Sequence, residues 1–221
     1  TPRLDFKQRP LIEQPGVAQA KTHYYGGIRK YQWAAIPLAL HGRIVRADGT
    51  AFDVKIGEDD NDPVFYISDL LPHLAAKQNA KPLGEGLGGE DLNIWLGNMP
   101  YTAAEEDKDK TVKENLLRIL HEKYGVREED FLSAELSLVP AFRAKDVGFD
   151  RGLMAAYGHD DRVCSYPAYT ALFDEEPEKH TVMVVLADKE EIGSEGATGM
   201  QCAIFTDLID ALAASFGVTS A

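Results

Sequence analysis

Two pairs of adjacent carboxylates are the residues of this chain best suited to chemistry: Glu190–Glu191 and Asp160–Asp161. Glu190 and Glu191 follow a short apolar, β-branched run, Val182 to Leu186, and open a loop with glycines at 193, 196 and 199. The run reads as a buried strand, and a helical pattern resumes from about Gln201. Neighbouring carboxylates at the end of a buried strand repel each other and lose solvation, and a cation is the usual compensation. Open α/β sheets place ligands at that end of their strands. Alone, the pair reads more readily as two solvated loop charges. The second pair changes the balance: in Gly158-His159-Asp160-Asp161-Arg162, two acids again follow a glycine and precede an apolar helical segment. Two acidic pairs ~30 residues apart, each at an element junction, suit a divalent cation held by carboxylates.

The wider motif is Asp188-Lys189-Glu190-Glu191-Ile192-Gly193-Ser194 with Gly196 and Thr198-Gly199. With Gly158 to Arg162, it resembles the aspartyl aminopeptidase family of di-zinc exopeptidases, the tetrahedral-aminopeptidase type. Thr22-His23-Tyr24-Tyr25-Gly26-Gly27-Ile28, Leu71-Pro72-His73-Leu74 and Ala144 to Asp150 are similar to it as well, so the likeness runs over nearly the whole chain.

The resemblance implies an α/β protein: part of an α/β/α zinc-peptidase catalytic domain with an inserted β-rich dimerisation domain. Residues 1–7 and 146–221 would belong to the catalytic domain and 8–145 to the insertion. It implies a metal-dependent aminopeptidase that removes N-terminal, acidic residues from peptides by two-metal water activation. Asp160 would bridge the metals, Glu191 would ligate one, and Glu190 would be the general base, with Asp161 as the alternative bridge. The peptide bond after the bridging aspartate is expected to be cis. His73 would reach the active site of a neighbouring subunit, in a dimer and a tetrahedral dodecamer. The metals would be zinc, with cobalt and manganese compatible with the same ligands. Further ligands, a histidine of an HxD motif and a later Asp and His, are expected outside the 221 residues, so the chain reads as an internal piece. Two other readings stand beside this one: a non-catalytic oligomerisation fragment, and a sugar- or peptide-hydrolysing relative of the same metal-dependent clan.

The elements that must position these groups are partly legible. Leu38 to Val45 and Phe52 to Ile56 flank Asp48-Gly49, a hairpin signal. Val64 to Ile67, Leu92 to Gly97 and an alternating Leu132 to Leu138 read as strands. Residues 80–91 read as a mobile, glycine-rich loop, and 101–111 and 175–178 as surface loops. Thr111 and Glu114 form a capping box, and the helix behind it sets Val112, Leu116, Leu117, Leu120 and Tyr124 on one face and stops at Gly125. His121-Glu122 lacks the second histidine of a zinc-protease HExxH, since Gly125 stands there. A helix is expected from Asp161 to Phe173, interrupted or delayed by Pro167. The stripe Ile204, Leu208, Ile209, Leu212, Phe216 reads as core.

Composition bounds the partners. A net charge of −13 argues against nucleic acid and against anionic membrane. No apolar run is long enough to span a bilayer, and the start shows no signal-peptide pattern. Cys164 and Cys202 make no disulfide framework, which points to a reducing cytoplasm with both thiols as buried packing residues.

Overall fold

Antiparallel pairing builds the one large sheet among the described residues. The computed structural model describes residues 1–101, 111–174 and 179–218. The chain parts into two compact units, one of residues 3–157 and one of residues 1–2 with 158–221. The positions 7/8 and 145/146, expected as domain boundaries, lie within the strands Arg3–Gln14 and Lys145–Val147.

In the larger unit, β1 (Arg3–Gln14) and β2 (Val17–Tyr25) form a long hairpin around Gly16, which takes the positive φ that the turn requires. β3 (Leu38–Val45) and β4 (Ala51–Ile56) form the hairpin read from Asp48-Gly49. With β5 (Ile94–Gly97) and β6 (Glu135–Pro140) they make a six-stranded sheet, in the order β4-β3-β6-β1-β2-β5. Every pairing in it is antiparallel. β3 and β6 approach so closely that a Cβ on Gly42 would overlap the Glu135 carbonyl. β7 (Lys145–Val147) and β8 (Leu153–Ala155) pair separately.

Helix α2 (Val112–Tyr124) starts and stops as its sequence signals. Thr111 Oγ1 accepts from the Glu114 amide, Glu114 Oε2 accepts from the Thr111 amide, and Gly125 takes the left-handed conformation at the end. Its apolar face, Leu116, Leu117, Leu120 and Tyr124, packs on a core of Leu4, Leu38, Ile67, Leu92, Ile94 and Leu138. The preceding α1 (Ala76–Asn79) is a single turn.

Three local expectations change. Val64 to Ile67 contributes only isolated bridges, Leu38 to Phe65 and Tyr66 to Trp95, rather than a strand. The strand expected from Leu132 begins at Glu135. Residues 128–133 wind into a 3₁₀ turn whose start is held by the Asp130 carboxylate accepting from the Arg127 amide. Residues 80–91 are not a plain loop: they form two 3₁₀ turns, Leu83–Glu85 and Gly89–Asp91, with Leu87 buried. The surface loops expected at 101–111 and 175–178 fall almost wholly outside the described residues.

The smaller unit holds α3 (His159–Asp174), a 3₁₀ turn at Glu190–Ile192, and α4 (Ala203–Ser215). Here the burial expectations fail. Val182 to Leu186 forms no strand and is exposed except at the half-buried Val184, because no described residue offers it a ladder. The stripe of α4 is open, with Ile204 69% and Phe216 72% exposed. Cys164 is exposed and Cys202 half-buried, so neither thiol is a buried packing residue. The apolar periodicities are present, but nothing among the described residues covers them. The fold is mixed α/β with a large antiparallel sheet, and no helix among the described residues is long and apolar enough to cross a membrane.

Candidate metal centre

Both acidic pairs lie in the smaller unit. Gly158 turns the chain into α3 with φ +86°, and Arg162 Nη1 donates back to its carbonyl at 3.3 Å. Asp160 and Asp161 are non-helical, and the peptide bond between them is cis, as the resemblance implied. The regular helix therefore starts after Asp161 and runs on through Pro167. The Asp160 side chain is exposed and that of Asp161 half-buried.

Glu190 and Glu191 stand on the 3₁₀ turn rather than on an extended segment. Such a turn has about three residues per revolution, so consecutive side chains diverge by roughly a third of a circle. This lets two adjacent glutamates face different directions. Lys189 before the turn and Gly193 and Ser194 after it all take left-handed φ, at 65°, 85° and 61°. Two of these three are not glycine, so the backbone is held in a region such residues rarely adopt.

One residue reaches both pairs. Thr1 Oγ1 donates to the Asp160 carbonyl at 2.7 Å, and the Thr1 main-chain nitrogen lies 3.9 Å from Glu191 Oε1. The Glu191 side chain is 16% exposed, while Glu190 is open to solvent. The structure thus brings Glu191 and the Asp160 main chain to one neighbourhood. His73 belongs to the larger unit, on an exposed turn where the Leu74 amide donates to the Leu71 carbonyl at 2.9 Å.

The donor chemistry fits a divalent ion in part. Carboxylate oxygens at Asp160 and Glu191 are suitable zinc ligands, but tetrahedral zinc takes four ligands, or three and a water. Among the described residues, no group of three or more His, Cys, Asp or Glu side chains gathers to hold a metal. Asp160 and Glu191 by themselves would make only a partial set.

Sequence reasoning missed the supports of this turn, Thr198 and Gln201. Thr198 Oγ1 donates to Asp188 Oδ2 at 3.0 Å, and Gln201 Nε2 donates to the Gly193 carbonyl. The only sequence signal was the glycine spacing at 193, 196 and 199, which announces a tight loop without naming its ties.

The family model described as aminopeptidase I zinc metalloprotease (M18) matches residues 1–221. A probable M18 family aminopeptidase 1 of Clostridium acetobutylicum is 53% identical over 209 residues, 95% of this chain and 44% of the relative. The crystal structure of an M18-family aminopeptidase from Thermotoga maritima superimposes with a TM-score of 0.90 at 45% identity, over 100% of this chain and 48% of that one. A dodecameric structure of mApe1 from S. cerevisiae matches at a TM-score of 0.63 and 22% identity, over 100% of this chain and 48% of that one, a likeness of fold alone. The chain thus spans about half the length of the relatives it matches. With its whole length inside one family model and 53% identity to a relative over 209 residues, this chain belongs to the aminopeptidase I zinc metalloprotease family, M18.

Proposed function

We propose that this chain is part of a zinc-dependent aminopeptidase that removes N-terminal, acidic residues from peptides by two-metal water activation. The observation that carries the reading is the Glu190–Glu191 turn: two adjacent carboxylates on one 3₁₀ turn, one half-buried and one open, in an M18 chain. Zinc, when bound, would lower the pKa of a water and polarise the scissile carbonyl. Asp160 and Glu191 would hold the metal, Asp160 in a bridging position, with the remaining ligands coming from outside the described residues. Cobalt and manganese suit the same donors. The exposed Glu190 carboxylate is free of any metal-holding role in this scheme. Its Oε atoms would take the proton of the attacking water and return it to the leaving amine. The acidic preference follows the family resemblance.

Residues 8–145 are proposed as the assembly insertion, and residues 1–7 and 146–221 as catalytic-domain sequence. The exposed Leu70, Leu71 and Leu74 flank His73 in the larger unit, an apolar face suited to a second copy of the chain. The proposal includes a dimer and a tetrahedral dodecamer in which His73 reaches a neighbouring subunit's site, and a cytoplasmic setting in which both thiols stay reduced.

The test is a pair of variants in the full-length polypeptide that carries these residues, assayed on peptides with acidic and neutral first residues. Glu190→Gln is expected to lower kcat by roughly 10²–10⁴-fold with zinc content unchanged, whereas Glu191→Gln loses zinc. Turnover by Glu190→Gln at the wild-type rate would sink the reading.

A further inference from the structure

The loop that carries Glu190 and Glu191 is closed on itself by two side chains that have no part in the proposed chemistry. Thr198 Oγ1 ties to Asp188 Oδ2 at 3.0 Å, joining the residue two before Glu190 to the far limb of the loop. Gln201 reaches back by two routes: its side-chain amide donates to the Gly193 carbonyl, and its backbone amide donates to the Ser194 carbonyl at 3.2 Å. Inside this frame the Ser194 amide donates to the Lys189 carbonyl at 2.9 Å, and the Gly193 amide to the Glu190 carbonyl at 2.9 Å. The far limb lies directly on the near one, since a Cβ on the buried Gly199 would overlap the Ser194 carbonyl.

These contacts answer a physical need. Lys189 and Ser194 bracket the 3₁₀ turn in left-handed conformations that neither residue type prefers. A three-residue turn cannot by itself hold both flanks there, because short 3₁₀ segments have few hydrogen bonds of poor geometry. The direction of the two glutamates follows from that backbone, so ties across the loop set where the carboxylates point. Orientation of this kind comes from residues outside the ligand set.

We infer that Thr198 and Gln201 are positioning residues that aim Glu190 and Glu191 by stapling the loop across Asp188 and Gly193, an assignment that rests on the proposed aminopeptidase reading. Neither residue touches substrate or metal in this scheme, and both act through the turn.

The experiment uses the full-length, zinc-loaded polypeptide and the variants T198V, Q201M and T198S. T198V and Q201M remove a donor at nearly constant volume, and T198S keeps the hydroxyl. The readouts are kcat and KM, zinc retention against a competing chelator, and hydrogen exchange at the Gly193, Ser194 and Gln201 amides. The expected result is a ~10–100-fold loss in kcat or zinc affinity for T198V and Q201M, with KM within about threefold and amide exchange about tenfold faster. T198S restores both. Wild-type kcat, zinc retention and exchange in T198V and Q201M would overturn the assignment. So would a loss in T198V that T198S shares while exchange stays unchanged, since the hydroxyl tie would then not be the cause. If the wild-type polypeptide itself cleaves no peptide, the aminopeptidase reading fails separately. The staple is then decided by zinc retention and exchange: faster exchange with weaker zinc binding supports it, and unchanged values overturn it.

Discussion

The Arg46 guanidinium closes the C-terminal end of helix α2: Nη2 donates to the Tyr124 carbonyl at 2.6 Å while the group lies 4.6 Å above the Phe52 ring. Arg46 belongs to the turn between β3 and β4, where its own amide donates to the Thr50 carbonyl at 2.8 Å. A single side chain therefore fastens a hairpin turn to the last orphan carbonyls of a helix, where a cation is favoured by the helix dipole. Arg46→Ala is expected to lower stability by about 1–3 kcal/mol, the scale of a hydrogen bond to a charged group. Arg46→Met keeps the packing on Phe52 and should recover only part of the loss. Urea unfolding of the three proteins checks this, and equal midpoints for wild type and Arg46→Ala would contradict it.

Thr22 serves a similar purpose inside the sheet. It is 2% exposed on β2, and its hydroxyl donates to the Leu92 carbonyl at 2.5 Å, pinning the segment that leads into β5. Valine matches the shape of threonine and suits a strand. Thr22→Val should nevertheless destabilise by about 1–3 kcal/mol, because the Leu92 carbonyl is left buried without its donor. If Thr22→Val unfolds at the same urea concentration as wild type, a water has replaced the hydroxyl and the bond contributes little.

These two ties show why parts of the fold could be read and parts could not. The Asp48-Gly49 hairpin and the Thr111–Glu114 capping box are local, and local rules found them. The long β1–β2 hairpin was missed although Pro15-Gly16 marks its turn. Lys7, Gln8 and Arg9 break the alternation, Pro10 is fully buried among them, and the register shifts between Phe6 and Leu11. At the candidate site the carboxylates themselves were visible as a motif. The 3₁₀ turn beneath them and the reach of Thr198 to Asp188 were not, because contacts between loop limbs follow no fixed spacing. The open faces of α3 and α4 mark another limit. Periodicity tells which side of a helix is apolar, and says nothing of what covers it.

Stability should respond to acid through Glu58. Lys55 Nζ lies 2.9 Å from Glu58 Oε2 and His41 Nε2 lies 2.9 Å from Oε1. The hydrogen bond from Lys55 holds the Glu58 carboxyl below its ordinary value, with the His41 charge adding to it, and the same bond raises the Lys55 ammonium above its own. A depressed carboxyl contributes stability above its unfolded pKa of about 4.3 and loses it as pH falls through the folded value. A raised ammonium contributes below about 10.4 and loses it as pH rises through its folded value. Glu58→Gln should therefore melt below wild type near neutrality, and the gap should close as the pH drops below ~4. Thermal melts from acid to neutral pH measure this, and a gap that widens on acidification would refute it.

The glycines of the Glu190 loop give the last prediction, because two of them are glycine for different reasons. Gly193 has φ +85° with open space around its missing side chain, so an alanine there meets only backbone strain, about 1–2 kcal/mol. Gly199 has no such φ, but a Cβ would overlap the Ser194 carbonyl oxygen and carbon, and these are backbone atoms that cannot rotate away. Gly199→Ala must push the far limb off the near one and with it displace the turn that aims Glu190 and Glu191. Turnover and zinc retention in the full-length polypeptide should therefore fall far more in Gly199→Ala than in Gly193→Ala. A larger loss in Gly193→Ala would mean that left-handed backbone, rather than contact between the limbs, holds the carboxylates in place.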